Sequence, residues 1–148
     1  MLQRILKTRE GYDLTILRIT LGGIIFAHGA QKMLGWFGGS GWSGTMNFFT
    51  HDMHMSYLTS VLTIFIEFFG SLMLITGIFT RVAALGMFGL FAGIIFTVAL
   101  PNGFFMNWGG GNPGEGYEYS LLVLGMSLAI MIGGAGSISL DRKLSNNK

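Results

Sequence analysis

Four long apolar stretches, separated by polar or glycine-rich breaks, run through the chain. The first, residues 14–34, is roughly 30 Å long as a helix and matches the hydrocarbon thickness of a bilayer. Residues 57–78 and 82–100 are similar in length, with Thr80-Arg81 as a short turn between them. The fourth, residues 118–134, is at the lower limit for a span. Between the first two, GWFGGSGWSG and TMNFFTHDMHM interrupt the pattern; Trp36 and Trp42 suit an interfacial aromatic belt, and residues 45–55 predict a short interfacial helix. Pro101-Asn102 ends the third stretch, and NWGGGNPGEG reads as a turn-rich loop. Met1 to Asp13 alternates charges with Leu2, Ile5 and Leu6, which fits either a surface amphipathic segment or a solvated tail. No small-residue cleavage site follows a short apolar core, so the first helix is expected to be retained. The pattern predicts a single all-α domain over residues 1–148, an integral membrane four-helix bundle.

Composition agrees with that pattern and narrows the chemistry. The 148 residues are 51% hydrophobic and 11% charged, with mean hydropathy +0.58, the profile of a membrane chain. Without cysteine, the chain has no thiol relay, disulfide, CxxCH haem attachment or thiolate metal site of its own. The net charge of +2 comes without a basic run interleaved with aromatics, so nucleic acid is not an expected partner. Arg4, Lys7, Arg9, Arg18, Arg81, Arg142, Lys143 and Lys148 fall at or near one side, against Lys32 on the other. The positive-inside rule then puts both termini in the cytoplasm, in a multi-pass protein of the inner (cytoplasmic) membrane.

Within FAHGAQKMLGWF, the i, i+3, i+4 spacing puts His28, Gln31 and Lys32 on one helical face near the outer end of the first span. Glu67 lies mid-span in the second, where a carboxyl must face the interior and be either protonated or partnered. Counting from the helix ends gives depths of ~9 Å for His28 and ~15 Å for Glu67, within reach of a shared proton or hydrogen bond. Asn102 and Glu118 fall at the same outer face, and Glu118 also suits the first turn of its helix. These residues predict an outer polar funnel of His28, Gln31, Lys32, Asn102 and Glu118 with Glu67 below. The alternative is an interhelical network that fixes register. Arg18 is expected to snorkel to headgroups or to pair with an acid. Gly70, Gly77, Gly86, Gly89 and Gly93, the last two in GxxxG spacing, are expected to let helices approach closely. Of His51, Asp52 and His54, only the two histidines share a face, so no metal site is predicted.

Arg18 with LGGIIFAHGAQKMLGWFGG, then IEFFGSLMLITGIFTRVAAL and the closing GSISLDR, resemble the DoxX family of small four-helix membrane proteins. The resemblance runs from about Leu17 to Arg142 and carries the family motif positions onto Arg18, His28, Lys32, Glu67 and Arg81. It implies association with thiosulfate:quinone oxidoreductase or quinol oxidase assemblies, quinone and catechol stress, or complexes with sulfurtransferase and superoxide dismutase. Under this reading the funnel binds a quinone headgroup. His28 and Lys32 face its oxygens, Glu67 relays protons, and electrons come from other membrane or soluble redox subunits, with no metal or haem. The alternative is a non-catalytic subunit or assembly factor of a larger membrane complex. A transporter is disfavoured by the lack of an evident inverted repeat.

Overall fold

The computed structural model describes residues 6–146, and no strand occurs among them. Helix α1 is Tyr12–Leu34. A short 3-10 turn, Trp36–Gly38, leads to α2 (41–52), whose α-helical part Gly41–Asn47 runs into a π-helical turn, Phe48–Asp52. Then come α3 (Tyr57–Thr76) and α4 (Thr80–Asn102), α5 (Glu118–Gly133) and α6 (Leu140–Asn146). Helices α1, α3 and α4 are long and apolar enough to cross a membrane, and α5 is a shorter apolar helix. The helix expected at the interface thus begins at Gly41, four residues earlier than the pattern predicts, and α3 stops at Thr76 because Gly77 turns left-handed (φ 72°).

The long helices pack in a ring: α1 on α3, α3 on α4, α4 on α5, and α5 back on α1. Their shared core holds Leu21, Ile25, Leu74, Met87, Phe91, Val123 and Ile130. Small polar residues, Ser60, Ser71, Thr80 and Ser127, are fully buried, whereas Ile16, Leu62, Phe96, Leu122 and Ile132 point outward. Apolar side chains outside as well as inside suit helices in lipid, where association comes from close packing and polar contacts. At Gly29, an added Cβ would lie 2.7 Å from the Glu67 carbonyl carbon, and at Gly22 it would lie 3.0 Å from the Ser71 carbonyl oxygen. These two glycines of α1 are what lets α3 come close.

The glycines of α4 behave otherwise. A Cβ at Gly89 or Gly93 would meet nothing within 4 Å, so the expected close GxxxG crossing is absent among the described residues; these glycines border open space.

Arg18 is a second correction. It is 1% exposed and donates to the carbonyls of Leu74 (2.6 Å), Ile75 (2.7 Å), Ala135 (2.7 Å) and Ile138. Among the described residues it neither snorkels nor forms an ion pair, because the last carbonyls of α3 lack intrahelical partners and a guanidinium presents five donors. Arg81 does the same at the end of α5, donating to the carbonyls of Met131 (2.5 Å) and Ile132 (3.0 Å).

The polar tail is also docked. Asp141, likewise 1% exposed, accepts from the backbone N–H of Phe79 (2.7 Å) and Thr80 (2.9 Å), capping α4 from 61 residues away. Lys148, and residues 1–5 of the proposed amphipathic segment, lie outside the described residues. Leu6 is buried, and Arg9 N–H donates to the Gly133 carbonyl at the end of α5 (2.9 Å).

Candidate functional site

At the end of the helices opposite Arg18 and Asp141, Lys32 of α1 meets Glu67 of α3, with Nζ 2.5 Å from Oε2. Their side chains are 24% and 6% exposed. The direction of side chains on a helix explains the contact: each leans toward its own N-terminus, and α1 and α3 run in opposite directions. Lys32 therefore leans down from the end of α1 while Glu67 leans up toward it. Among the described residues no hydrogen bond joins Glu67 to His28, so the expected His28–Glu67 contact is replaced by Lys32–Glu67. Comparing backbone depths alone left out both the lean and the length of the lysine stem.

The carboxylate sits on a π-helical turn, Ile66–Gly70, and faces a second one in α4, Ile95–Ala99. A π turn inserts one residue and shifts the faces beyond it, a distortion often retained at functional sites. Here the two π turns flank a cavity of about 490 Å³ lined by His28, Lys32, Glu67, Phe91, Ile94, Val98, Ala99, Asn102, Met106, Gly114, Glu115, Gly116, Tyr119 and Ser120. The size is ordinary for a small-molecule site.

Four expected site residues, His28, Lys32, Glu67 and Asn102, come together on this wall. Two do not line it. Gln31 turns away and donates to the Phe37 carbonyl (3.3 Å). Glu118 opens α5 as expected, but its carboxylate accepts from Met106 N–H (3.0 Å) and so fastens the loop. Asn102 donates to the carbonyls of Val98 (3.2 Å) and Glu115 (3.3 Å), tying the end of α4 to that loop.

Sequence reasoning missed Glu115, Tyr119 and Ser120. Tyr119 follows Glu118 by one residue, and that 100° step rotates it from the loop to the interior. Its ring lies 6.4 Å from His28 and 5.9 Å from Phe91, and among the described residues its buried hydroxyl has no hydrogen-bond partner. The step from Glu118 to Tyr119 within the helix was readable, but Glu115 precedes α5, so helical spacing could not place it. Among the described residues, no three His, Asp or Glu side chains converge as a metal site.

Three helices long and apolar enough to cross a membrane, apolar residues on their outward faces and a mostly buried lysine–glutamate pair between two of them are the marks of a membrane protein. Its sequence matches the DoxX family over residues 14–100, more than half of the chain. The protein belongs to the DoxX family. No curated protein and no solved structure matches it.

Proposed function

We propose that this protein is a quinone-linked redox component of the inner membrane. In this reading α5 crosses the bilayer with the other three helices, making a four-helix bundle with both termini cytoplasmic and the polar cavity toward the outer face. One observation carries the functional part: the Lys32–Glu67 pair is held in the wall of a small-molecule-sized cavity with His28 and an unpartnered Tyr119 hydroxyl alongside. Quinone oxygens accept hydrogen bonds, and Lys32, His28 and Tyr119 are donors. Phe91 and Tyr119 offer aromatic faces for a flat ring. Glu67 supplies a titratable carboxyl for the protons that quinone reduction consumes, and a partner subunit supplies the electrons.

Titrating the purified protein with a short-chain quinone tests the reading. The melting temperature is expected to rise with quinone concentration. Lys32→Met, which removes a charged donor, is expected to weaken binding by about tenfold or more. No concentration-dependent shift in the parent protein overturns it.

A second reading, a non-catalytic subunit or assembly factor, draws on the same pair, since Lys32–Glu67 also bonds α1 to α3. Mild-detergent extraction separates the two. A partner that co-migrates stoichiometrically, and still does so with Lys32→Met/Glu67→Leu, favours the subunit role without cavity chemistry.

A further inference from the structure

A groove of about 560 Å³ opens at the other end of the helices, between the start of α1, the end of α3 and residues 137–143. Three of its lining side chains are cations, Arg18, Arg142 and Lys143, and none is an acid. Their states differ. Arg18 is buried, with its guanidinium bonded to four carbonyls. Lys143 is exposed and, among the described residues, stands in no ion pair. Arg142 Nη2 donates to Glu10 Oε1 at 2.6 Å, but the Glu10 side chain is 79% exposed, and a pair so open to water is weak and readily exchanged for another anion. The neutral polar groups of the groove are bonded locally: the Thr76 hydroxyl donates to the Leu72 carbonyl, that of Ser139 donates to the Gly136 carbonyl, and that of Ser137 accepts from Gly11 N–H.

We propose that this groove binds the headgroup of an anionic phospholipid, with the phosphate held by Arg142 and Lys143. The quinone reading does not bear on it, since the groove shares no residue with the polar cavity. Charge selects an anion, because the two cations have no buried acid as a partner and guanidinium and ammonium groups both donate to phosphate. The apolar part of the wall selects a lipid. Ile19, Ile138 and Leu140 line the same groove and are 46%, 63% and 40% exposed. Ile19 stands about two turns inside α1, and Ile75 and Thr76 form the last turn of α3, so the groove straddles the depth at which hydrocarbon gives way to headgroups. A free phosphate ion gains nothing from these side chains, whereas the glycerol and first methylenes of a lipid cover them. Basic pockets between membrane helices hold anionic headgroups in this way.

The test is native mass spectrometry of the full chain in detergent with dioleoyl phosphatidylglycerol or dioleoyl phosphatidylcholine, which share acyl chains and differ in headgroup charge. The parent protein is expected to take up phosphatidylglycerol saturably and to hold it more tightly than phosphatidylcholine. Lys143→Gln is expected to weaken phosphatidylglycerol binding by about fivefold, and Glu10→Gln, which frees Arg142, to strengthen it. Lys7→Gln removes the same charge from an exposed position at the same end but outside the groove, and is expected to bind as the parent does. All three positions are exposed, so the fold tolerates the changes. Equal binding of the two lipids by the parent overturns the site. So does a Lys143→Gln variant that binds as the parent does, or a Glu10→Gln variant that binds no more tightly. Equal weakening by Lys7→Gln and Lys143→Gln also overturns it, by showing a diffuse attraction to the whole basic end. Displacement of the lipid by an equal concentration of inorganic phosphate shows a free-anion site instead and overturns the lipid as its ligand.

Discussion

Lys32 and Glu67 form a contact whose two halves were readable as residue types but not as partners. An acid at membrane depth needs a neighbour, and His28 is nearer to it in backbone height; the opposed lean of side chains on antiparallel helices favours Lys32 instead. Removing one partner strands the other in a mostly buried place. Glu67→Leu alone is expected to destabilise by about 2–4 kcal/mol, somewhat below a fully buried pair because Lys32 keeps some exposure. Adding Lys32→Met should recover most of that loss, as measured by thermal unfolding of all four members of the double-mutant cycle. Arg18 makes a parallel point. An arginine one turn into a span suggests snorkelling, yet its guanidinium bonds four carbonyls. Arg18→Lys keeps the charge but not the fork, and is expected to cost about 3 kcal/mol, lowering the melting temperature measurably.

Helix α1 is the element on which the site is built, and its glycines have distinct duties. Gly29 brings the α1 backbone against α3 at Glu67, so Gly29→Ala forces the helices apart where Cβ would stand 2.7 Å from main-chain atoms. The expected result is a lowered melting temperature and, with the Lys32–Glu67 distance opened, weaker quinone binding. Gly93→Ala meets no atom and replaces a poor helix former, so it should stabilise α4 by about 0.5–1 kcal/mol. Opposite signs for these two glycine-to-alanine changes in thermal unfolding are the check. Spacing alone pointed to Gly89 and Gly93 as the packing positions, because a GxxxG pattern marks a face free of side chains without naming what lies against it. The π-helical turns at Glu67 and at Ile95–Ala99 were likewise invisible, since one inserted residue leaves an apolar run equally apolar.

Across the whole molecule, polar residues gather at two ends with different work. One end is a lock, in which Arg18, Arg81 and Asp141 close the termini of helices they do not belong to. Asp141→Ala is expected to cost about 1–2 kcal/mol as a lost helix cap and to speed amide exchange at Phe79 and Thr80, while leaving exchange near Glu67 unchanged. The other end is the cavity, whose loop is fastened by Glu118 and Asn102.

The linear order of residues was enough for the helical class, the apolar stretches, the DoxX membership and most of the residue types that gather at the cavity. Hydrophobic runs and rare intramembrane charges carry that information locally, because lipid penalises any other arrangement. It took the packed helices to show that Lys32 takes Glu67, that Arg18 and Asp141 cap distant helices, that Tyr119 joins the cavity wall while Gln31 and Glu118 leave it, and that Gly89 and Gly93 border a cleft. Each of these depends on the direction in which a side chain leaves its helix and on which backbone groups a neighbour leaves unpaired. A linear pattern records neither.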